Sequence, residues 1–144
     1  MDTLLVMLVD DEAPFVETMT KRLQKRELDV ISALSGQAAL DILSQKPNID
    51  VVILDVKMPG MDGLETLKQI KAGFPLTEVV MLTAHATVES AIEGMKLGAF
   101  DYLMKPCAME QLMGKVHEAA QKKRNHEEKI REARVREVLS KRGF

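Results

Sequence analysis

Five short apolar runs punctuate this chain at residues 4–9, 30–34, 49–54, 78–82 and 100–104. Their continuous, β-branched character fits strands buried on both faces of a parallel sheet. Between them the apolar positions change to helical spacing. Phe15, Val16, Met19 and Leu23 follow Pro14, while Ala38, Ala39, Ile42 and Leu43 lie between Ser35-Gly36 and Pro47. Leu64, Leu67 and Ile70 run to a stop at Gly73; Val88, Ala91, Ile92 and Met95 form the next stripe, closed by Gly98; Met109, Leu112, Met113 and Val116 form the last. Asp62, with Glu65 three positions on, has the form of a capping box. Strand and helix alternate five times, which predicts an α/β fold: a doubly wound five-stranded parallel sheet with five helices and right-handed crossovers.

Four of the runs end on residues with chemistry. The first meets Asp10-Asp11-Glu12, the third Asp55, the fourth Thr83 and the fifth Lys105-Pro106. In a parallel sheet these ends share one edge, where the crevice of a doubly wound fold lies. The stretch IDVVILDVKMPGMDG, residues 49–63, gives strand, acid, Pro-Gly loop and helix start in that order. Taken alone, Asp55 at that place also fits a turn cap. With Asp10 and Asp11 beside it the pattern is stronger. Clustered carboxylates repel one another and call for a hard divalent cation, for which Mg2+, with its preference for oxygen ligands, is the best fit. A carboxylate can attack phosphorus, and a lysine and a threonine hydroxyl can then neutralise the transferred group.

The 144 residues, 46% hydrophobic and 29% charged, suit one globular domain. No apolar run is long enough to span a membrane, and Met1-Asp2-Thr3 has no signal-peptide character, so membrane insertion is not expected and the cytoplasm is the expected compartment. The single Cys107 is read as a packing residue. The net charge of −2 is uneven: residues 1–120 carry 11 Lys and Arg against 18 Asp and Glu, residues 121–144 carry 9 against 4. That places a domain at 1–120 and a charged, helical tail or linker stub at 121–144. No basic stripe with interleaved aromatics marks the acidic body, so direct nucleic-acid binding by this chain is not expected. Ile130, Val135, Val138 and Leu139 give the tail only a partial stripe, consistent with a solvated extension or a dimer helix fraying toward Gly143. Ten methionines suit core filling or a surface that repacks between partners.

Asp10-Asp11, Asp55 within LDVKMPGMDG, Thr83-Ala84, Tyr102 and Lys105-Pro106 together resemble the receiver domain of bacterial two-component response regulators, over about residues 3–120. GAFDYLMKP resembles the receivers of alternative-sigma-factor activators more narrowly. The resemblance implies a flavodoxin-like strand order, 2-1-3-4-5, and a signalling switch rather than an enzyme. It implies Asp55 as phosphoacceptor, and Mg2+ held by Asp11, Asp55 and the Lys57 backbone carbonyl, with Asp10 acting through water. It implies Thr83 and Lys105 as phosphoryl ligands, a cis peptide at Lys105-Pro106, and Tyr102 as an aromatic switch moving with Thr83. Lys57 and His85 would flank the phosphoryl group and set its lifetime. The partners implied are a sensor histidine kinase or phosphotransfer protein, and a downstream protein target or self-dimer met through the fourth helix, fifth strand and fifth helix.

Two other aspartate- or phosphate-handling classes fit less well. A haloacid-dehalogenase-type phosphatase needs a second acid two residues after its nucleophile, where Lys57 stands. A flavodoxin-like flavin carrier needs a phosphate loop where this chain has Asp10 and Asp11. A receiver-like scaffold that signals without phosphorylation stays open as the third alternative.

Overall fold

The computed structural model describes residues 3–141. Strands β1 (Leu5–Val9), β2 (Asp29–Ala33), β3 (Val51–Leu54), β4 (Glu78–Thr83) and β5 (Asp101–Met104) alternate with helices α1 (Ala13–Lys25), α2 (Gly36–Gln45), α3 (Gly63–Gly73), α4 (Val88–Lys96) and α5 (Met109–Lys141). All pairings are parallel and the order is β2-β1-β3-β4-β5, the flavodoxin-like order expected. Val9 pairs with Leu54 across β1 and β3, so Asp10 and Asp55 leave the sheet at one level.

Strand alternation builds two cores. Val6 and Leu8 face Leu23 of α1 and Leu112 and Val116 of α5, while Met7 and Val9 face Leu43, Leu67 and Ile70 of α2 and α3. Burial on both sides explains why the strands read as unbroken apolar runs. Ser35 caps α2 by accepting from the Ala38 N–H, and Asp62 caps α3 by accepting from Glu65 N–H at 2.9 Å. The Asp62–Glu65 box is only half made, because the Glu65 carboxylate accepts from Gln69. The reciprocal box forms at α4, between Thr87 and Ser90.

The apolar stripe of α4 does not face the core: Val88 is 72% exposed, Ile92 50% and Met95 47%, and the helix buries only Gly94. The reason is local, since the Tyr102 ring and Leu64 occupy the space against Gly94 and the helix docks through its bare backbone there. The methionines correspondingly divide: Met81, Met109 and Met113 fill the core, while Met95 and Met104 are exposed.

The tail is helical, as expected: α5 runs unbroken from Met109 to Lys141, through the charge boundary at Ala120. Its residues just past that boundary are not a free surface. Lys123 is buried and pairs with buried Asp50 at 3.4 Å, Arg124 joins the same carboxylate, and Lys122 reaches buried Glu78 at 3.7 Å. Beyond them Ile130, Val135, Val138 and Leu139 are exposed; Gly143 lies outside the described residues.

Candidate functional site

The site is built by strand ends that the register brings level. Asp10 follows β1 and is buried; its Oδ1 accepts from the Glu12 N–H at 2.9 Å and its Oδ2 from Lys105 Nζ at 2.6 Å. Asp55 follows β3, buried, with Oδ1 lacking any hydrogen-bond partner. Asp11 is exposed beside them, and one oxygen from each of Asp10, Asp11 and Asp55 lies within 4.8 Å of the others.

Glycines shape the floor. The Gly63 N–H donates to Val56 O at 2.6 Å, and a Cβ on Gly63 would overlap the Asp55 carbonyl oxygen. The loop from Val56 to Asp62 therefore folds back tightly on the strand that carries Asp55, turning at Gly60 with φ of 75°.

Thr83 ends β4 fully buried, and its Oγ1 accepts from the His85 N–H at 3.0 Å. The Lys105 N–H donates to Thr83 O at 2.9 Å, which joins the ends of β4 and β5. The Lys105–Pro106 peptide is cis, as expected. Lys105 Nζ lies 3.5 Å from Glu12 Oε1, 4.0 Å from Asp55 Oδ2 and 3.7 Å from the centroid of the Phe15 ring. Lys57 and His85 line a shallow cleft at the rim with Val56, Asp62, Ala86 and Thr87.

Burial lifts the Asp55 pKa above the ordinary carboxylate value. The Thr83 hydroxyl opposes that rise, Asp10 adds to it through like-charge repulsion, and Lys105 and the Val56 N–H oppose it again. An unpartnered buried carboxylate oxygen beside two further carboxylates is a set of ligands matched to a hard, oxygen-seeking dication. Chemically the crevice offers one under-satisfied nucleophilic oxygen, an ammonium and a hydroxyl.

Tyr102 stands apart from this group. Its hydroxyl lies 2.6 Å from Ser90 Oγ on α4, and its ring packs against Gly94. Sequence reasoning did not single out Ser90, and it read Phe15 only as a core position. Helical spacing offers a signal for the second, since Phe15 falls within a turn of Asp11; nothing in spacing marks the first.

The profile of the response regulator receiver domain matches residues 6–117. The chain belongs to the response regulator receiver domain family. It is 36% identical over 115 residues to the DNA-binding transcriptional regulator NtrC of Klebsiella pneumoniae, covering 80% of this chain and 24% of that protein. It is 36% identical over 118 residues to the transcriptional regulatory protein ZraR of Escherichia coli K12, covering 82% and 26%. The chain thus spans about a quarter of the length of these curated relatives. Both relatives are named as transcriptional regulators. A solved receiver domain protein from Clostridium thermocellum superposes with a TM-score of 0.80 at 34% identity, over 84% of this chain and 97% of its own. Receiver membership makes this chain a domain of two-component signalling. No helix among the described residues is long and apolar enough to cross a membrane.

Proposed function

We propose that this receiver takes a phosphoryl group on Asp55 from a sensor histidine kinase or phosphotransfer protein and passes the change to a protein target or a second copy. The observation that carries this is the buried Asp55, whose Oδ1 has no hydrogen-bond partner and whose Oδ2 lies 4.0 Å from Lys105 Nζ, grouped with the Asp10 and Asp11 carboxylates. An Asp55 carboxylate oxygen forms the new P–O bond while the donor's P–N bond breaks, its electron pair leaving with the imidazole nitrogen. Lys105 and the Thr83 hydroxyl stabilise the charge on the transferred group. Asp11, Asp55 and the Lys57 carbonyl would hold Mg2+, with Asp10 acting through water. When bound, Mg2+ supplies neutralisation of the phosphoryl oxygens and of the acidic cluster.

The readout is a population shift. Thr83 is drawn toward the phosphoryl group, and Tyr102 changes its relation to Ser90 and α4. The exposed Val88, Ile92, Met95 and Met104 beside Tyr102 supply an apolar surface whose partner preference then changes. Asp55 is a phosphoacceptor, the role of the chain is signalling rather than metabolic catalysis, and its compartment is the cytoplasm. Lys57 and His85, on the rim, set access of water to the acyl phosphate.

The test is intact-protein mass after incubation with a small acyl-phosphate donor and Mg2+. One phosphoryl group per chain, removed by hydroxylamine and lacking in Asp55→Asn, is the expected result. Stoichiometric labelling of Asp55→Asn overturns the assignment. Light scattering with beryllofluoride then separates the two outputs: a reversible rise to dimer mass assigns self-association, and unchanged mass with the mimic bound assigns a different protein partner.

A further inference from the structure

Lys105 is the residue whose surroundings exceed what phosphoryl binding asks of it. Its Nζ is bounded on one side by carboxylates, at 2.6 Å from Asp10, 3.5 Å from Glu12 and 4.0 Å from Asp55. On another it meets an aromatic face, with the Phe15 centroid at 3.7 Å. Phe15 is half-buried, packs onto the core cluster to which β1 and α5 contribute, and stands in the first turn of α1. The ring is thus anchored while the lysine chain that reaches it is flexible.

The two sides pull in different directions. The carboxylates draw the ammonium down into the acidic cluster, where a direct pair with Asp55 would fill the space a phosphoryl oxygen needs. An aromatic face attracts a cation without offering it a hydrogen bond, so it can hold the ammonium off without displacing its contact with Asp10. The resulting separation of 4.0 Å from Asp55 Oδ2 is too long for a hydrogen bond. The ammonium is therefore not committed to Asp55 and can donate to a phosphoryl oxygen without first breaking a direct pair. We infer that Phe15 is a positioning residue: its ring holds the Lys105 ammonium off a direct pair with Asp55, in a place from which it can donate to a phosphoryl oxygen. This rests on the assignment of Lys105 as a phosphoryl ligand. A leucine there would pack against the same core but offer no quadrupole. The ammonium would then fall toward Asp55, and the incoming group would have to displace it.

The experiment is a beryllofluoride titration of the full chain in saturating Mg2+, followed by amide chemical shifts, for wild type, Phe15→Leu, Phe15→Tyr, Lys105→Ala and the Phe15→Leu/Lys105→Ala double variant. Phe15→Leu is expected to bind the mimic roughly three- to tenfold more weakly, the range a partly desolvated cation–ring contact supports. Phe15→Tyr, which keeps the ring, is expected to restore binding. In the Lys105→Ala background Phe15→Leu should add no further loss. Wild-type affinity in Phe15→Leu alongside weakened Lys105→Ala overturns this inference and leaves the lysine assignment standing. An equal loss from Phe15→Leu in both backgrounds overturns it too, because the ring then acts through packing. Wild-type affinity in Lys105→Ala instead removes the assignment on which the inference rests.

Discussion

Lys105 Nζ lies 2.6 Å from Asp10 Oδ2. The same atom is 4.0 Å from Asp55 Oδ2, so its neutralising charge goes chiefly to Asp10. Asp55 is left buried with little compensation, and burial foremost raises its pKa. The folded chain therefore holds this proton more tightly than the unfolded chain, and the ionised group is destabilising. Its contribution to stability falls as pH rises from the unfolded value near 3.8 through the raised folded value, and is constant above. In chelator, Asp55→Asn should be more stable than wild type at neutral pH. The gap should close on acidification toward 3.8. Urea midpoints across that range test both statements. A gap that widens as pH falls would refute them. Added Mg2+ should stabilise wild type by mass action and do less for Asp55→Asn.

Gly63 is required by its neighbour, not by its dihedral angles. A methyl group there would overlap the Asp55 carbonyl and stand 2.6 Å from Val56 Cα, both of them backbone. Gly63→Ala should therefore destabilise by roughly 2–4 kcal/mol and weaken Mg2+ binding, since strand end and loop must separate. Gly73 meets nothing within 4 Å, so Gly73→Ala is the matched control. It should be neutral or stabilising by up to about 1 kcal/mol. Equal effects in the two variants would show that the close approach at Gly63 is unimportant.

The Tyr102 hydroxyl and Ser90 Oγ meet at 2.6 Å, and Ser90 also completes the cap of α4 with Thr87. Tyr102→Phe should release one contact worth about 0.5–1.5 kcal/mol, most of it local to α4. Hydrogen exchange should therefore quicken in the first turn of α4 and stay unchanged in β1 and β3. Uniformly faster exchange would place the tyrosine in the global core instead.

Much of this molecule is legible in its sequence, because burial on both faces makes parallel strands unbroken apolar runs and because chemistry follows those runs directly. Alternation puts Asp10, Asp11, Asp55, Thr83 and Lys105 at one edge of a parallel sheet, and the strand order that the family resemblance implies brings them together there. What the sequence hides is of two kinds. The outward stripe of α4 has ordinary helical spacing, and periodicity cannot say whether a stripe meets a core or water. The contacts of Asp50 with Lys123 and of Tyr102 with Ser90 join residues whose pairing depends on the finished fold. Lys123 in particular reads as one more member of a charged tail.

The ion pairs just past the charge boundary have a testable consequence. Asp50, at the start of β3, accepts from the Leu5 N–H at 3.0 Å and pairs with Lys123 and Arg124 at 3.4 Å. Glu78, at the start of β4, is 2% exposed and pairs with Lys71 and Lys122 at 3.7 Å. A chain ending at Ala120 would strip Asp50 of both its cations and Glu78 of one of its two. Removing one side of a buried pair is destabilising to the extent that the remaining charge stays desolvated. Residues 1–120 should thus unfold at much lower urea than the full chain, whereas residues 1–128 should match it. Asp50→Asn should recover part of the loss in 1–120 and none in 1–128, which separates uncompensated charge from simple shortening of the helix. A 1–120 chain as stable as the whole would put the end of the folded unit at the charge boundary. The expected result puts it at the ion pairs, so that the first turns of the tail belong to the switch that carries them.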